Sequence, residues 1–158
     1  MDMALFLLFI IAILFATAYL TKRRFGVLGL ALCAGSLLST MWTGEVTPLI
    51  QDAGLRLLTP PLGTVVAVVL VLLPAVLLLF NGPTYKRLWQ RIIGAAAFAL
   101  LATSFLLVPL GTGLVLDDTT QEYYNFLVDN RNIIITAAIA YAIFDIVTYK
   151  PPKLKDKK

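Results

Sequence analysis

Charge in this chain lies almost entirely at the ends of long apolar runs, and its sign alternates from one end to the next. Eleven of the 13 lysines and arginines fall in three clusters: Lys22, Arg23, Arg24; Lys86, Arg87, Arg91; and Lys150, Lys153, Lys155, Lys157, Lys158. Seven of the nine acids occupy the alternate gaps, at Asp2, Glu45, Asp52, Asp117, Asp118, Glu122 and Asp129. A helix of about 20 apolar residues spans a bilayer, and loops rich in Lys and Arg stay on the cytoplasmic side. The pattern therefore predicts an all-α integral membrane protein, a five-span helical bundle with its N-terminus outside and its C-terminus cytoplasmic.

Composition agrees. The chain is 59% hydrophobic and 14% charged, where soluble domains carry about 25% charged residues. Its 158 residues suffice for one transmembrane domain over 1–149 and a disordered basic tail over 150–158. The net charge of +4 does not point to nucleic acid. The bases flank spans, where they meet anionic lipid headgroups, and no aromatic and basic surface interleaves to bind single strands.

The spans are expected at about 3–20, 25–42, 62–80, 92–111 and 132–149. The first has no basic residue before it and no small-x-small cleavage site, so it reads as a retained anchor. The tight turn from Thr21 to Arg24 predicts an antiparallel hairpin of the first two spans. Ala31, Gly35 and Ser39 form a small-residue ladder suited to close helix packing, as do Ala95 and Ala99 in the fourth span. Between spans two and three, Val46, Leu49, Ile50, Ala53 and Leu57 share one helical face. That periodicity predicts a short amphipathic surface helix over 43–61, carrying an Asp52–Arg56 pair and ended by Pro60-Pro61. Pro74 is expected to kink the third span. Residues 112–130 hold four acids and no base, and predict an outer loop with a short interfacial helix whose aromatics face lipid. The fifth run follows Arg131 and is diluted by Asn132, Thr136, Asp145 and Thr148. If it is interfacial, the bundle has four spans.

Chemistry is sparsely signalled. There is no histidine and one cysteine, Cys33, which excludes His-based acid–base catalysis, most zinc sites and an intrachain disulfide. No metallopeptidase, nucleotide-binding, nucleophile-elbow or paired-cysteine motif occurs. No catalytic set, metal or cofactor is expected. Asp145 is the one acid placed inside a span, a candidate polar site by default. It is read either as a proton or cation site, or as a carboxylate satisfied by an interhelical bond or by nearby Lys150 or Lys153. The basic loops are read as topology signals, with lipid or acidic-partner binding as the alternative.

The order of features resembles the colicin V production protein (CvpA) family. Asp2 opens the first span, Arg24-Phe25-Gly26 forms a basic turn with glycine, and Arg91-Ile92-Ile93-Gly94 leads into a glycine- and alanine-rich fourth span. The correspondence covers roughly residues 2–110. It departs where Phe25 separates Arg24 from Gly26, and where Gln90 stands in place of an acid. The resemblance singles out Arg24, Gly26, Arg91 and Gly94. It implies a non-enzymatic bacterial inner-membrane accessory or scaffold linked to toxin production, export or envelope homeostasis, acting as a homo-oligomer or with other membrane proteins. The alternative is a subunit of a small oligomeric channel or transporter, motivated by Asp145 and by Pro74 as a hinge.

Overall fold

The computed structural model describes residues 3–55, 61–80, 84–85, 87–113 and 118–148, without the side chains of 3–7, 110–113 and 118–123. These residues form six helices: α1 (Met3–Thr21), α2 (Phe25–Asp52), α3 (Leu62–Phe80), α4 (Leu88–Gly113), α5 (Asp118–Asp129) and α6 (Arg131–Val147). Three of them, α2, α3 and α4, are long and apolar enough to cross a membrane. A shorter apolar stretch runs over Leu8–Thr21, and α6 has 17 residues. In hydrocarbon every backbone group must bond internally, so apolar runs of this length fold as helices.

The expected surface helix over 43–61 is not a separate element. Instead α2 continues unbroken through Trp42 and Pro48 to Asp52. The polar residues that suggested a break satisfy themselves on the helix. Thr43 donates to the Ser39 carbonyl at 2.6 Å and Thr47 to the Thr43 carbonyl at 2.6 Å, so neither competes for the ladder. The helix ends at Asp52, two residues ahead of Gly54 and well before Pro60-Pro61. Gly54 adopts φ 94°, with its N–H on the Gln51 carbonyl and the Leu55 N–H on the Ile50 carbonyl, the paired bonds of a left-handed C-terminal cap. Val46, Leu49 and Ile50 thus belong to the last turns of α2, while Arg56 lies outside the described residues.

The hub is α4, which touches every other helix. Its first half buries Ala95, Phe98, Ala99, Leu101 and Ala102. Small residues let neighbours approach closely, and this packing replaces the hydrophobic drive that lipid does not supply. The closest backbone approach lies between α2 and α3. A Cβ at Gly35 would overlap the Val71 carbonyl, so only glycine fits. Ala31 is also buried, whereas Ser39 is half-buried and lines a cavity. The expected α1–α2 hairpin gives way to another arrangement: α1 packs mainly on α4. The cause is the turn after α1, where Lys22 has φ 56° and the chain leaves sideways toward the end of α3.

Beyond α4, the expected short helix is present as α5. Phe126 on it is exposed, but Tyr124 turns inward and donates to the Leu107 carbonyl at 3.2 Å. A buried carbonyl near a proline-containing helix end offers the phenol a better partner than lipid does. The chain passes through Pro74 without ending α3.

Candidate functional site

The site is assembled from helix ends. An α-helix leaves its last four carbonyls and first four N–H groups without internal partners, and three helices, α1, α3 and α6, end at the face that carries the basic loops. Each receives an arginine from another part of the chain. Arg23 donates through Nε to the Leu79 carbonyl at 2.9 Å and through Nη2 to the Phe80 carbonyl at 2.6 Å, closing α3. Arg91 donates through Nε to the Tyr19 carbonyl at 2.6 Å, closing α1, with its guanidinium 4.0 Å from the centre of the Tyr19 ring. Arg24 donates through Nη2 to the Asp145 carbonyl at 3.1 Å, closing α6. Cations are favoured at these negative dipole ends.

The Arg24 contact extends into the side chain. Its Nη2 lies 2.7 Å from Asp145 Oδ1 and its Nε 3.4 Å from Oδ2. Both partners are largely shielded, with side chains 14% and 7% exposed, so the pair is charge-assisted and little screened. Asp145 Oδ2 also accepts the Gly26 N–H at 3.0 Å, while the Phe25 N–H donates to the Tyr85 hydroxyl at 3.1 Å. Arg24 is the N-cap of α2 and its own side chain makes no cap bond. The first two free N–H groups of α2 are therefore capped from a distance, by a carboxylate on α6 and a phenol in the α3–α4 loop.

Two glycines make room for these groups. A Cβ at Gly26 would stand 2.7 Å from the Ala142 carbonyl oxygen and 3.0 Å from Asp145 Oδ2. One at Gly94 would stand 2.6 Å from the Tyr85 ring. Tyr85 is held from both ends. Its N–H donates to the Lys22 carbonyl at 2.8 Å, and Arg23 and Thr84 form an antiparallel bridge beside it. Burial pushes the Tyr85 phenol well above its ordinary value of 10.0; the Phe25 N–H offsets part of this and the Asp145 carboxylate adds to it. The Arg24 guanidinium lies 5.3 Å from the centre of its ring, and Phe25 stacks on Tyr141 at 5.4 Å.

Arg24, Gly26, Arg91, Gly94 and Asp145 thus gather at one end of the bundle, each with a stated contact. Asp145 engages Arg24, 121 positions away, whereas Lys150 and Lys153 lie outside the described residues. Asp2 and Lys86 also lie outside them. Ala31, Ala95 and Ala99 are buried packing positions. Cys33 is half-buried and free. Among the described residues no group of three or more acids and cysteines is placed to hold a metal. Tyr85 was not singled out from the sequence. Its signal was the pairing of a loop tyrosine with a glycine, Gly94, nearly two turns into the next helix.

Chemically the arrangement is a lock. Asp145 Oδ1 accepts from Arg24 and Oδ2 from the Gly26 N–H, so the carboxylate ties the start of α2 to the end of α6. No family model, no curated protein and no solved structure matches the chain.

Proposed function

We propose that the protein is a non-enzymatic scaffold of a bacterial inner membrane, with five spans, its N-terminus outside and its C-terminus in the cytoplasm. The observation that carries this reading is the commitment of Asp145, the one buried carboxylate among the described residues, to the Arg24 guanidinium and the Gly26 N–H. A charged residue spent on fixing helix ends serves shape rather than turnover. The gathering of the first two basic loops on one face, through the Lys22–Tyr85 and Arg23–Thr84 contacts, supports the orientation, since loops of like sign share a side. Wide exposed apolar surfaces on α1, α2 and α3, including Leu8, Leu20, Leu37, Met41, Leu77 and Phe80, suit contact with lipid, a second copy or another membrane protein. The resemblance to colicin V production proteins supplies the setting, toxin production or export or envelope homeostasis, and anionic headgroups near the basic loops are the lipid partners.

Crosslinking in native membranes followed by copurification tests the scaffold. A defined heterologous or homo-oligomeric partner is expected. A lone monomer under every condition overturns it. The second reading, a subunit of a small oligomeric channel or transporter, is favoured by the cavity at the opposite end of the bundle. Reconstituted vesicles without ion or proton flux would remove that reading and leave the first.

A further inference from the structure

Two basic residues, Arg56 and Arg131, lie outside the three clusters, and the topology rule does not account for them. Arg131 is the first residue of α6, at the end of the bundle opposite the capped face. It is also where the pattern of satisfied arginines breaks: its Nε is buried and, among the described residues, has no hydrogen-bond partner. A buried cationic donor left without an acceptor is costly, whereas one that meets an oxyanion gains a strong charge-assisted bond.

Arg131 borders a cavity of about 550 Å³. The walls are the outer half of α2, the first turns of α3 and the end of α4. Thr43 and Thr64 line it together with Arg131, and Thr64 is 8% exposed. Ser36, Ser39 and Thr40 line it too, but their hydroxyls are engaged within α2, Ser36 donating to the Cys33 carbonyl, Thr40 to the Ser36 carbonyl and Ser39 bonding the Thr43 hydroxyl. Ala67 and Val71 supply an apolar floor beside the Gly35–Val71 contact, and Phe105 and Val108 an apolar wall. The cavity thus offers one cation, the Thr64 hydroxyl and an apolar surface.

We infer that this cavity binds an anionic amphiphile drawn from the membrane, a phosphate or carboxylate head joined to an apolar chain. The head is held by Arg131 with Thr64, and the first part of the chain enters between α2, α3 and α4. The charge of Arg131 selects the sign of the head, and the apolar floor selects a lipid over a small soluble anion. This assignment stands independently of the scaffold reading, because it concerns the opposite end of the molecule.

The test is native mass spectrometry of the full chain, released from a neutral detergent, with dioleoyl phosphatidate, oleate, oleyl alcohol and inorganic phosphate as probes. One retained phosphatidate or oleate per chain is expected, with oleyl alcohol at least about tenfold weaker, the scale of one charge-assisted bond. Arg131→Gln should lose roughly the same factor and Arg131→Lys less than that. Lys153→Gln, far from the cavity in sequence, should leave binding unchanged. Gly63→Leu provides the second variant. A Cβ at Gly63 meets nothing closer than Thr47 at 3.8 Å, so the added side chain is accommodated while it narrows the cavity, and retention of the chain should fall. Equal binding of oleyl alcohol and oleate, or an unchanged affinity in Arg131→Gln, overturns the site. Inorganic phosphate bound as tightly as phosphatidate overturns the membrane source.

Discussion

At the scale of single residues, Asp145 and Arg24 have opposite relations to sequence reading. Asp145 stood out because a carboxylate in an apolar run demands a partner. Its partner was not legible, since Arg24 is 121 positions away and carried a sufficient topological explanation already. Charge sorting explains which side a base occupies and not what its guanidinium touches. Removing one member of a shielded pair leaves the other uncompensated, at a cost of about 3 kcal/mol. Asp145→Asn should therefore lower the thermal midpoint in detergent, as read by size-exclusion fluorescence. Arg24→Gln should do likewise, and the double variant should lose less than the two single losses combined. Tyr85 permits a test by pH. Its phenol is raised above 10.0 by burial, so the folded state favours the protonated form. The stability it contributes is complete below pH 10 and lost as pH rises beyond that value. Wild type should weaken more steeply above pH 10 than Tyr85→Phe, which lacks the titrating group, and in the alkaline absorbance titration Tyr85 should ionise after the exposed tyrosines.

Among the elements, the apolar runs mark α1, α3, α4 and α6 to within a few residues, because a helix is the one way to satisfy a backbone in lipid. The run past Trp42 was less legible. Glu45, Thr47, Gln51 and Asp52 gave it an amphipathic look, yet hydroxyl bonds to preceding carbonyls and the cap at Gly54 determine where α2 stops. The contacts of α1 were hidden for a different reason. A short turn suggests adjacency in space, but the Lys22 geometry and the Arg91 cap direct α1 to α4. Helix spacing is set by three glycines of unequal strictness. Gly35→Ala and Gly26→Ala put a Cβ into backbone carbonyls, of Val71 and Ala142, and each should cost about 1–3 kcal/mol. Gly94→Ala meets the Tyr85 side chain and no backbone, and should cost less. Gly63→Ala should be tolerated. The order of loss, read as thermal midpoints, checks the assignment; a Gly63 variant as damaged as Gly35 would contradict it.

For the whole molecule, the two ends of the bundle differ in kind. One is closed by three arginines on three carbonyl ends, and the other opens into the cavity beside Arg131. Topology is testable with single cysteines in a Cys33→Ser background. Thr84 and Lys155 should react with an impermeant thiol reagent from the cytoplasmic side only, Gln51 and Asn125 from the outside only. Labelling of Asn125 together with Thr84 from one side would contradict five spans.

The capped face also imposes an order on biogenesis. Arg23 and Arg24 leave the ribosome early, but the carbonyl end of α1 waits for Arg91, and Arg24 waits for Asp145, 121 positions later. A nascent chain arrested before α6 carries an Arg24 whose carboxylate partner does not yet exist, so the start of α2 lacks the contact that fastens it to α6. The same contact that fastens the finished protein therefore distinguishes complete chains from incomplete ones. Chains truncated ahead of Asp145 should turn over faster in pulse-chase than full-length protein, and Arg24→Gln should narrow that difference.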